Sequence, residues 1–461
     1  VILIVAINAR YSHCSFSALT LRANLGPYRD DSAILEADLT VLPVQLAADI
    51  LARKPTLVAF SAYLWNIRTI EQTARILRLT APDLPLTVGG PEITPDYPHA
   101  DLFNGVICGE GETVLREWAG SLTAADHLFR ITEPEDPARL ELPYPLYTDH
   151  DLAHRVVYVE TSRGCPYGCT YCTSAHTGLR LFPPETLLPA LDTLWRRGLR
   201  QFKFLDRSFN APREHARQIL AFFMERMTPD LRLHFEINTD HLDPGFAQTL
   251  TAFPNGVLHL ECGIQTLNPA TAAAIGRSSD TDRTLENLRF LTEETGATVH
   301  ADLIFGLPCE DEASFSAGFN RLLSTCHPAE LQVNWLKGLP GTAMVRDAAK
   351  WGLIFNPAPP YELLSNDLLD FAALTRLQHF ARCWELVHNR GRFPHALARF
   401  HALCADDLFA AYQALTRRVL AAEGRLFALS LPRLKRLLRE ELLARGLSEA
   451  ETDHLFAQDG V

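Results

Sequence analysis

Three cysteines, Cys165, Cys169 and Cys172, stand in the stretch Thr161-Ser-Arg-Gly-Cys-Pro-Tyr-Gly-Cys-Thr-Tyr-Cys172. The spacing C-x3-C-x2-C delivers three thiolates from one short loop. A cubic iron–sulfur cluster ligated wholly by protein takes four thiolates. Three therefore hold three irons of a [4Fe-4S] cluster and leave the fourth open to chemistry. Gly164 and Gly168 let the loop fold tightly, and Pro166 stiffens it. Structural zinc calls for four ligands in paired C-x2-C or Cys/His spacings. The chain has no second C-x2-C, and His176 is the one spare ligand nearby. Three clustered cysteines also cannot all pair as disulfides.

The segment resembles the signature loop of the radical S-adenosylmethionine (SAM) enzymes. That resemblance implies a cluster whose open iron chelates the amino and carboxylate groups of SAM. It also implies reductive cleavage of SAM to a 5′-deoxyadenosyl radical, fed by an external electron donor of the flavodoxin or ferredoxin kind. Tyr171, the aromatic between the last two cysteines, is then expected near the adenine.

The elements that must position this loop follow from the rest of the chain. Its 461 residues suffice for two or three domains at about 150 residues each. A hydrophobic content of 47% with 21% charged residues describes a globular protein with a substantial core. The first six residues, Val-Ile-Leu-Ile-Val-Ala, are too short for a signal-peptide core and read as a buried strand. The missing initiator Met is what a trimmed sequence would show. No apolar run reaches membrane-helix length, so no membrane partner is expected. Ten cysteines without a regular framework fit a reducing, cytoplasmic setting. A net charge of −12 does not indicate nucleic acid as a partner. The basic clusters Arg196, Arg197, Arg200, Lys203 and Arg433, Lys435, Arg436, Arg439 read as solvated helix faces.

Over residues 1–120, apolar runs at 1–6, 57–60, 86–88 and 105–108 read as strands. Helical periodicity covers 17–25, 43–53 and 67–79 between them. Such alternation predicts a parallel, doubly wound (Rossmann-like) sheet, whose ligands bind at the strand carboxyl ends. Unusual sequence sits at those ends: Asn8-Ala-Arg10-Tyr-Ser-His13, Ser61-Ala-Tyr-Leu-Trp-Asn66, Gly89-Gly-Pro-Glu92 and Gly109-Glu-Gly-Glu112. The ordered set resembles the cobalamin (B12)-binding domain that precedes many radical SAM cores. The resemblance implies cobalamin contacts at Asn8, Arg10, Ser12, His13, Ser61, Leu64, Gly89, Gly90, Pro91, Glu92, Gly109 and Glu110. One departure matters. Many cobalamin proteins carry Asp-x-His-x-x-Gly after the first strand, and here those positions read Asn8, Arg10 and His13, so the cobalt-ligating His is missing. His13, three residues on, reads as a loop histidine in preference to a substitute ligand, because imidazole ligands are position-sensitive.

Residues 121–152 read as an irregular, proline-marked linker. Over 153–345 the βα alternation resumes, with strands at 156–160, 201–205, 232–237, 257–261, 299–305 and 331–335. Six units imply a partial, TIM-like (β/α)6 barrel, with functional groups at the strand ends. Asp206, Glu236, Asn238, Gln265 and Arg277 occupy those ends, and the superfamily resemblance implies that they bind SAM. Residues 346–461 follow a proline-rich link and carry apolar residues at helical spacing. They resemble an uncharacterised C-terminal helical domain, expected to cap the barrel or dock substrate. Cys383, Cys404, His388, His395 and His401 show no ligand pattern there and read as structural.

The resulting expectation is a cobalamin-assisted radical SAM methyltransferase acting at an unactivated carbon. Two alternatives stay open: a radical SAM enzyme whose B12-like domain does not use cobalamin (RNA or peptide modification, ring formation or rearrangement), and a non-catalytic cobalamin or iron–sulfur carrier or sensor.

Overall fold

Strands buried on both faces need near-continuous apolar sequence, and the chain opens with one. In the computed structural model, which describes residues 1–460, β1 (Ile2–Asn8) is an interior strand of a six-stranded sheet, next to one edge. Its companions are β2 (Ser32–Asp38), β3 (Leu57–Ser61), β4 (Leu86–Gly89), β5 (Gly105–Cys108) and β6 (Leu128–Ile131). The order is β2-β1-β3-β4-β5-β6, and every pairing is parallel. Helices α1 (Phe16–Ala23), α2 (Pro43–Ala52), α3 (Ile67–Thr80) and α4 (Glu112–Trp118) connect the strands. Leu3, Val5 and Ile7 join a core with α2 and α3, whereas Ile2, Ile4 and Ala6 join one with α1 and α4. The sheet is thus covered on both faces, as a doubly wound fold requires.

Two of these strands were not legible as such. β2 carries Glu36 and Asp38 on a half-buried edge, and all four residues of β6 are exposed. The second lies inside 121–152, so that stretch is not wholly irregular: it completes the first sheet before α5 (Asp149–His154) leads onward.

The second sheet begins at β7 (Tyr158–Val159). An antiparallel pair, β8 (Ser162–Arg163) and β9 (Arg180–Leu181), then brackets the cysteine loop. Alternation continues through α6 (Pro184–Arg196), β10 (Gln201–Phe204), α7 (Arg213–Met224), β11 (Arg232–Ile237), α8 (Pro244–Leu250) and β12 (Leu258–Gln265). It closes with α9 (Pro269–Ala274), α10 (Thr281–Glu293), β13 (Thr298–Phe305), α11 (Glu312–Thr325) and β14 (Glu330–Trp335). The order β7-β10-β11-β12-β13-β14 is parallel throughout. This is the expected six-stranded partial barrel.

An open barrel leaves β14 with unpaired backbone groups. After α12 (Ala343–Arg346) and the hairpin β15 (Ile354–Phe355) and β16 (Leu363–Ser365), the helical region supplies the cover. Its helices are α13 (Phe371–Trp384), α14 (Pro394–Leu403), α15 (Leu408–Glu423), α16 (Leu431–Ala444) and α17 (Glu449–Gln458). Trp384 Nε1 donates to the Leu331 carbonyl at 2.7 Å, and Asn389 Nδ2 donates to the same oxygen at 3.0 Å. One hydrophobic core runs from the barrel helices through Leu374, Phe380, Trp384, Phe400 and Tyr412. Among the described residues no helix is long and apolar enough to cross a membrane.

Candidate active site between the two sheets

The cysteine loop is held by backbone contacts that leave no room for a side chain. Gly164 has φ +83°, and a Cβ there would lie 1.8 Å from the Gly178 carbonyl oxygen. Gly276 has φ +74°, and its Cβ would lie 2.5 Å from the Gly168 oxygen. Thr170 N donates to Ile275 O at 3.0 Å, and Met344 N donates to Thr170 O at 2.8 Å. Ser174 N donates to the Cys172 sulfur at 3.4 Å, and the Ser208 hydroxyl lies 3.8 Å from the Cys165 sulfur. All three cysteines are free. Burial pushes the Cys169 thiol up; Cys172 and Cys165 add to this, and Arg277 opposes it. Among the described residues no three His, Cys, Asp or Glu side chains gather as ligands of one metal ion. Unpaired, electrostatically coupled thiols on a rigidly held loop are a donor set that fits a cluster, which spreads its ligands over several irons.

At the barrel mouth the sequence-predicted residues divide into two groups. Tyr171, Gln265 and Arg277 surround the cysteine loop. Tyr171 lies beside Cys169 and Arg277. Arg277 pairs with Asp240 at 2.9 Å, with both side chains buried. Gln265 has φ +69°, and its Oε1 is buried without a partner. An orphaned acceptor there fits a ligand that brings hydroxyl or ammonium donors, as SAM does.

Asp206 and Asn238 work differently. Asp206 is fully buried and accepts from Thr161 N at 3.0 Å, Thr161 Oγ1 at 2.6 Å and Ser162 Oγ at 2.6 Å. Its carboxylate therefore anchors the strand that enters the cysteine loop, and these bonds take three of its roughly four acceptor sites. Asn238 caps the turn after β11 through its Oδ1 and the Asp240 N–H, and its backbone exchanges bonds with Asn210. Glu236 faces the barrel interior, where burial pushes its carboxyl up to about 7 against the opposing pull of Arg207, 3.7 Å away.

Arg163, immediately before Gly164, ties the two sheets together. It reaches Glu110 at 3.2 Å, Glu112 at 2.8 Å and Glu160 at 2.9 Å. Arg180, on the other strand of the ribbon, pairs with Glu110 at 2.6 Å. The Gly109-Glu-Gly-Glu112 loop is thus clamped to both strands that bracket the cysteines. Beside this clamp lies a cavity of about 690 Å³ lined by both sheets. Of the residues expected to meet cobalamin, Asn8, His13, Ser61, Gly89, Gly90, Pro91, Gly109 and Glu110 line it. Arg10, Ser12, Leu64 and Glu92 do not. Arg10 is exposed, and Glu92 is buried against Tyr361 Oη at 2.9 Å, so it braces the C-terminal region. In place of Leu64 the cavity has its neighbours Tyr63 and Trp65, stacked 4.5 Å apart.

The 690 Å³ space has the loops of the first sheet on one side and Ser162, Gly164, Ser174 and Arg207 on the other. Residues 2–119 match the B12 binding domain family, and residues 159–317 match the radical SAM superfamily. The chain thus carries a B12-binding domain followed by a radical SAM domain. Residues 349–418 match a further family, described only as a protein of unknown function (DUF4080). The chain is similar to 2-(S-pantetheinyl)-carbapenam-3-carboxylate methyltransferase of Streptantibioticus cattleyicolor, 27% identical over 60% of this chain and 46% of that one. It is similar to the cobalamin-dependent radical SAM methyltransferase TokK of Streptomyces tokunonensis, 27% identical over 66% and 50%. The chain spans about half the length of these curated relatives. The cobalamin-dependent SAM radical enzyme OxsB shares the fold, with TM-score 0.65 at 12% identity over 99% of this chain and 80% of that one.

Sequence reasoning missed the residues that join the radical SAM barrel to the B12-binding domain: Arg163, Arg180 and Tyr158. Arg163 stands inside the quoted cysteine motif, and an arginine next to a buried loop facing two glutamates of Gly-Glu-Gly-Glu was the available signal. In the DUF4080 region and beyond, His388 stacks on Trp384 at 3.9 Å and His401 meets Tyr412 Oη at 3.0 Å. Cys383 and Cys404 are buried. His395 is exposed at the start of α14, where its N–H donates to Asp459.

Proposed function

We propose that the protein cleaves SAM reductively and, with cobalamin, transfers a methyl group to an unactivated carbon of its substrate. The observation that carries this reading is the cavity shared by the strand-end loops of the B12-binding domain and the residues that flank the three cysteines, Arg163, Gly164 and Ser174. When bound, the [4Fe-4S] cluster supplies an open iron and an electron for SAM, and cobalamin supplies methyl-group chemistry. The chain's own residues bind and orient these groups. Cys165, Cys169 and Cys172 hold the cluster. Tyr171, Gln265 and Arg277 take the SAM side, with Arg277 held in place by Asp240. Asp206 fixes the strand entering the loop. Ser61, Gly89, Gly90 and Gly109 form the cobalamin side, with the stacked Tyr63 and Trp65 beside them. The names of the two methyltransferase relatives support methyl transfer. An external donor of the flavodoxin or ferredoxin kind supplies the electron.

Anaerobic reconstitution followed by metal analysis and absorption spectroscopy tests the cofactor pair. Near-stoichiometric iron–sulfur cluster and cobalamin, with label from methyl-labelled SAM reaching the bound cobalamin, supports the reading. Failure to retain cobalamin overturns it and leaves a radical SAM enzyme that does not use the corrin.

A further inference from the structure

The loop after β1 lacks a histidine where cobalamin proteins of the Asp-x-His-x-x-Gly type carry one. Yet the structure places an imidazole in the same cavity by another route. His13 lines the space together with Ser61, Gly89, Gly90 and Gly109, the ends of β3, β4 and β5. Its backbone is fixed on both sides. Asn8 Nδ2 donates to the His13 carbonyl at 3.0 Å, and Arg155 Nη2 donates to the same oxygen. Val156 N donates to Ser12 O at 2.7 Å, and Cys14 N donates to Val156 O at 3.4 Å, so residues 12–14 bridge to Val156, just ahead of β7.

The ring is fixed as well. His13 Nδ1 forms a short hydrogen bond with Tyr158 Oη, from the first barrel strand, and the two rings lie nearly parallel. Among the described residues this is the only hydrogen bond of the ring, which leaves Nε2 without a partner. A metal-bound imidazole has this pattern: one nitrogen gives its N–H to a fixed acceptor and the other keeps a lone pair for the metal. The neighbouring charges, Lys203, Arg10 and Arg155, are all cationic and give the ring no carboxylate to pair with.

We propose that His13 is the axial nitrogen ligand of the cobalt, displaced from the familiar motif position, and that Tyr158 is its positioning residue. In the tautomer that ligation requires, Nδ1–H donates to Tyr158 Oη and Nε2 faces the metal. The first strand of the radical SAM barrel would then set the coordination of the cobalt in the neighbouring domain.

The inference rests on the reading that the cavity holds cobalamin, and one experiment separates the two. The full-length holoprotein is produced with uniform nitrogen-15 labelling, loaded with cobalamin of natural isotopic composition and reduced to the cob(II)alamin state for electron paramagnetic resonance. An axial nitrogen-15 splits each cobalt line into a doublet, whereas the nitrogen-14 of cobalamin's own benzimidazole gives a triplet. The expected result is a doublet in the labelled protein and a triplet in the unlabelled one. His13→Gln should abolish the splitting, and Tyr158→Phe should reduce the ligated fraction several-fold, with cobalamin still bound. A triplet in the labelled protein, or bound cobalamin with no nitrogen splitting, overturns the assignment of His13 alone. Failure to bind cobalamin overturns the proposed function and this inference with it.

Discussion

Arg163 Nη2 lies 2.8 Å from Glu112 Oε1, joining the residue that precedes the cysteine loop to the last glutamate of the Gly-Glu-Gly-Glu loop in the other domain. Both side chains are largely buried, at 12% and 7% exposure, so the pair is shielded from solvent screening. Glu110 and Glu160 share the same guanidinium. Arg163→Ala strands Glu112 and Glu160, whereas Glu110 keeps Arg180 at 2.6 Å, and the expected cost is about 3–5 kcal/mol in urea unfolding. Arg163→Lys should recover only part of it, because one ammonium cannot match the fork geometry. Iron content after reconstitution should fall in both variants, since the loop loses its anchor.

The glycines of the loop give a sharper test of its geometry. Gly276→Ala would place a methyl group 2.5 Å from the Gly168 carbonyl oxygen at φ +74°, with backbone on the receiving side. The expected result is loss of most of the reconstituted iron with far-ultraviolet circular dichroism unchanged. A variant with full iron content would show that the loop has slack which these contacts do not suggest.

Asp206 separates anchoring from SAM binding. Its oxygens accept three hydrogen bonds from Thr161 and Ser162 in a fully buried site. Asp206→Asn turns one acceptor into a donor facing donors and should cost about 2–3 kcal/mol even without SAM. If unfolding of the apoprotein is unchanged and only SAM affinity drops, the residue acts on SAM directly.

Glu236 predicts a pH dependence whose sign follows from burial. Its folded-state pKa stands at about 7 against an ordinary 4.5, so the native state holds the proton more tightly than the unfolded chain. Its contribution to stability is fully present below about pH 4.5 and is lost as pH rises through about 7. Glu236→Gln removes that slope. The variant should gain about 1–3 kcal/mol over the wild type at pH 8, and the gain should shrink towards pH 5, as read from urea midpoints.

Much of this architecture was legible because it rests on periodicity. β1, β3, β4 and β5 are short apolar runs between amphipathic helices, and the barrel strands alternate apolar and polar residues as in Leu233, His234, Phe235, Glu236. The edge strands were not legible, because β6 exposes all four of its residues and β2 mixes charge into a half-buried face. The cysteine triad stands out in the sequence because its spacing is local. The anchoring role of Asp206, the bracing of Glu92 by Tyr361 and the hold of Tyr158 on His13 do not. Each joins residues between 45 and 269 positions apart, and only the packing of the two sheets brings them together.

The central claim is that Cys165, Cys169 and Cys172 start radical chemistry next to a cobalamin held by the other sheet. The most direct measurement compares wild type and Cys169→Ala, both reconstituted anaerobically, for 5′-deoxyadenosine release from SAM under a strong reductant and for bound cobalamin. The account predicts release by the wild type, none above background by Cys169→Ala, and near-stoichiometric cobalamin in both. Continued SAM cleavage by Cys169→Ala, or a wild-type protein with an intact cluster and no bound cobalamin, would contradict it.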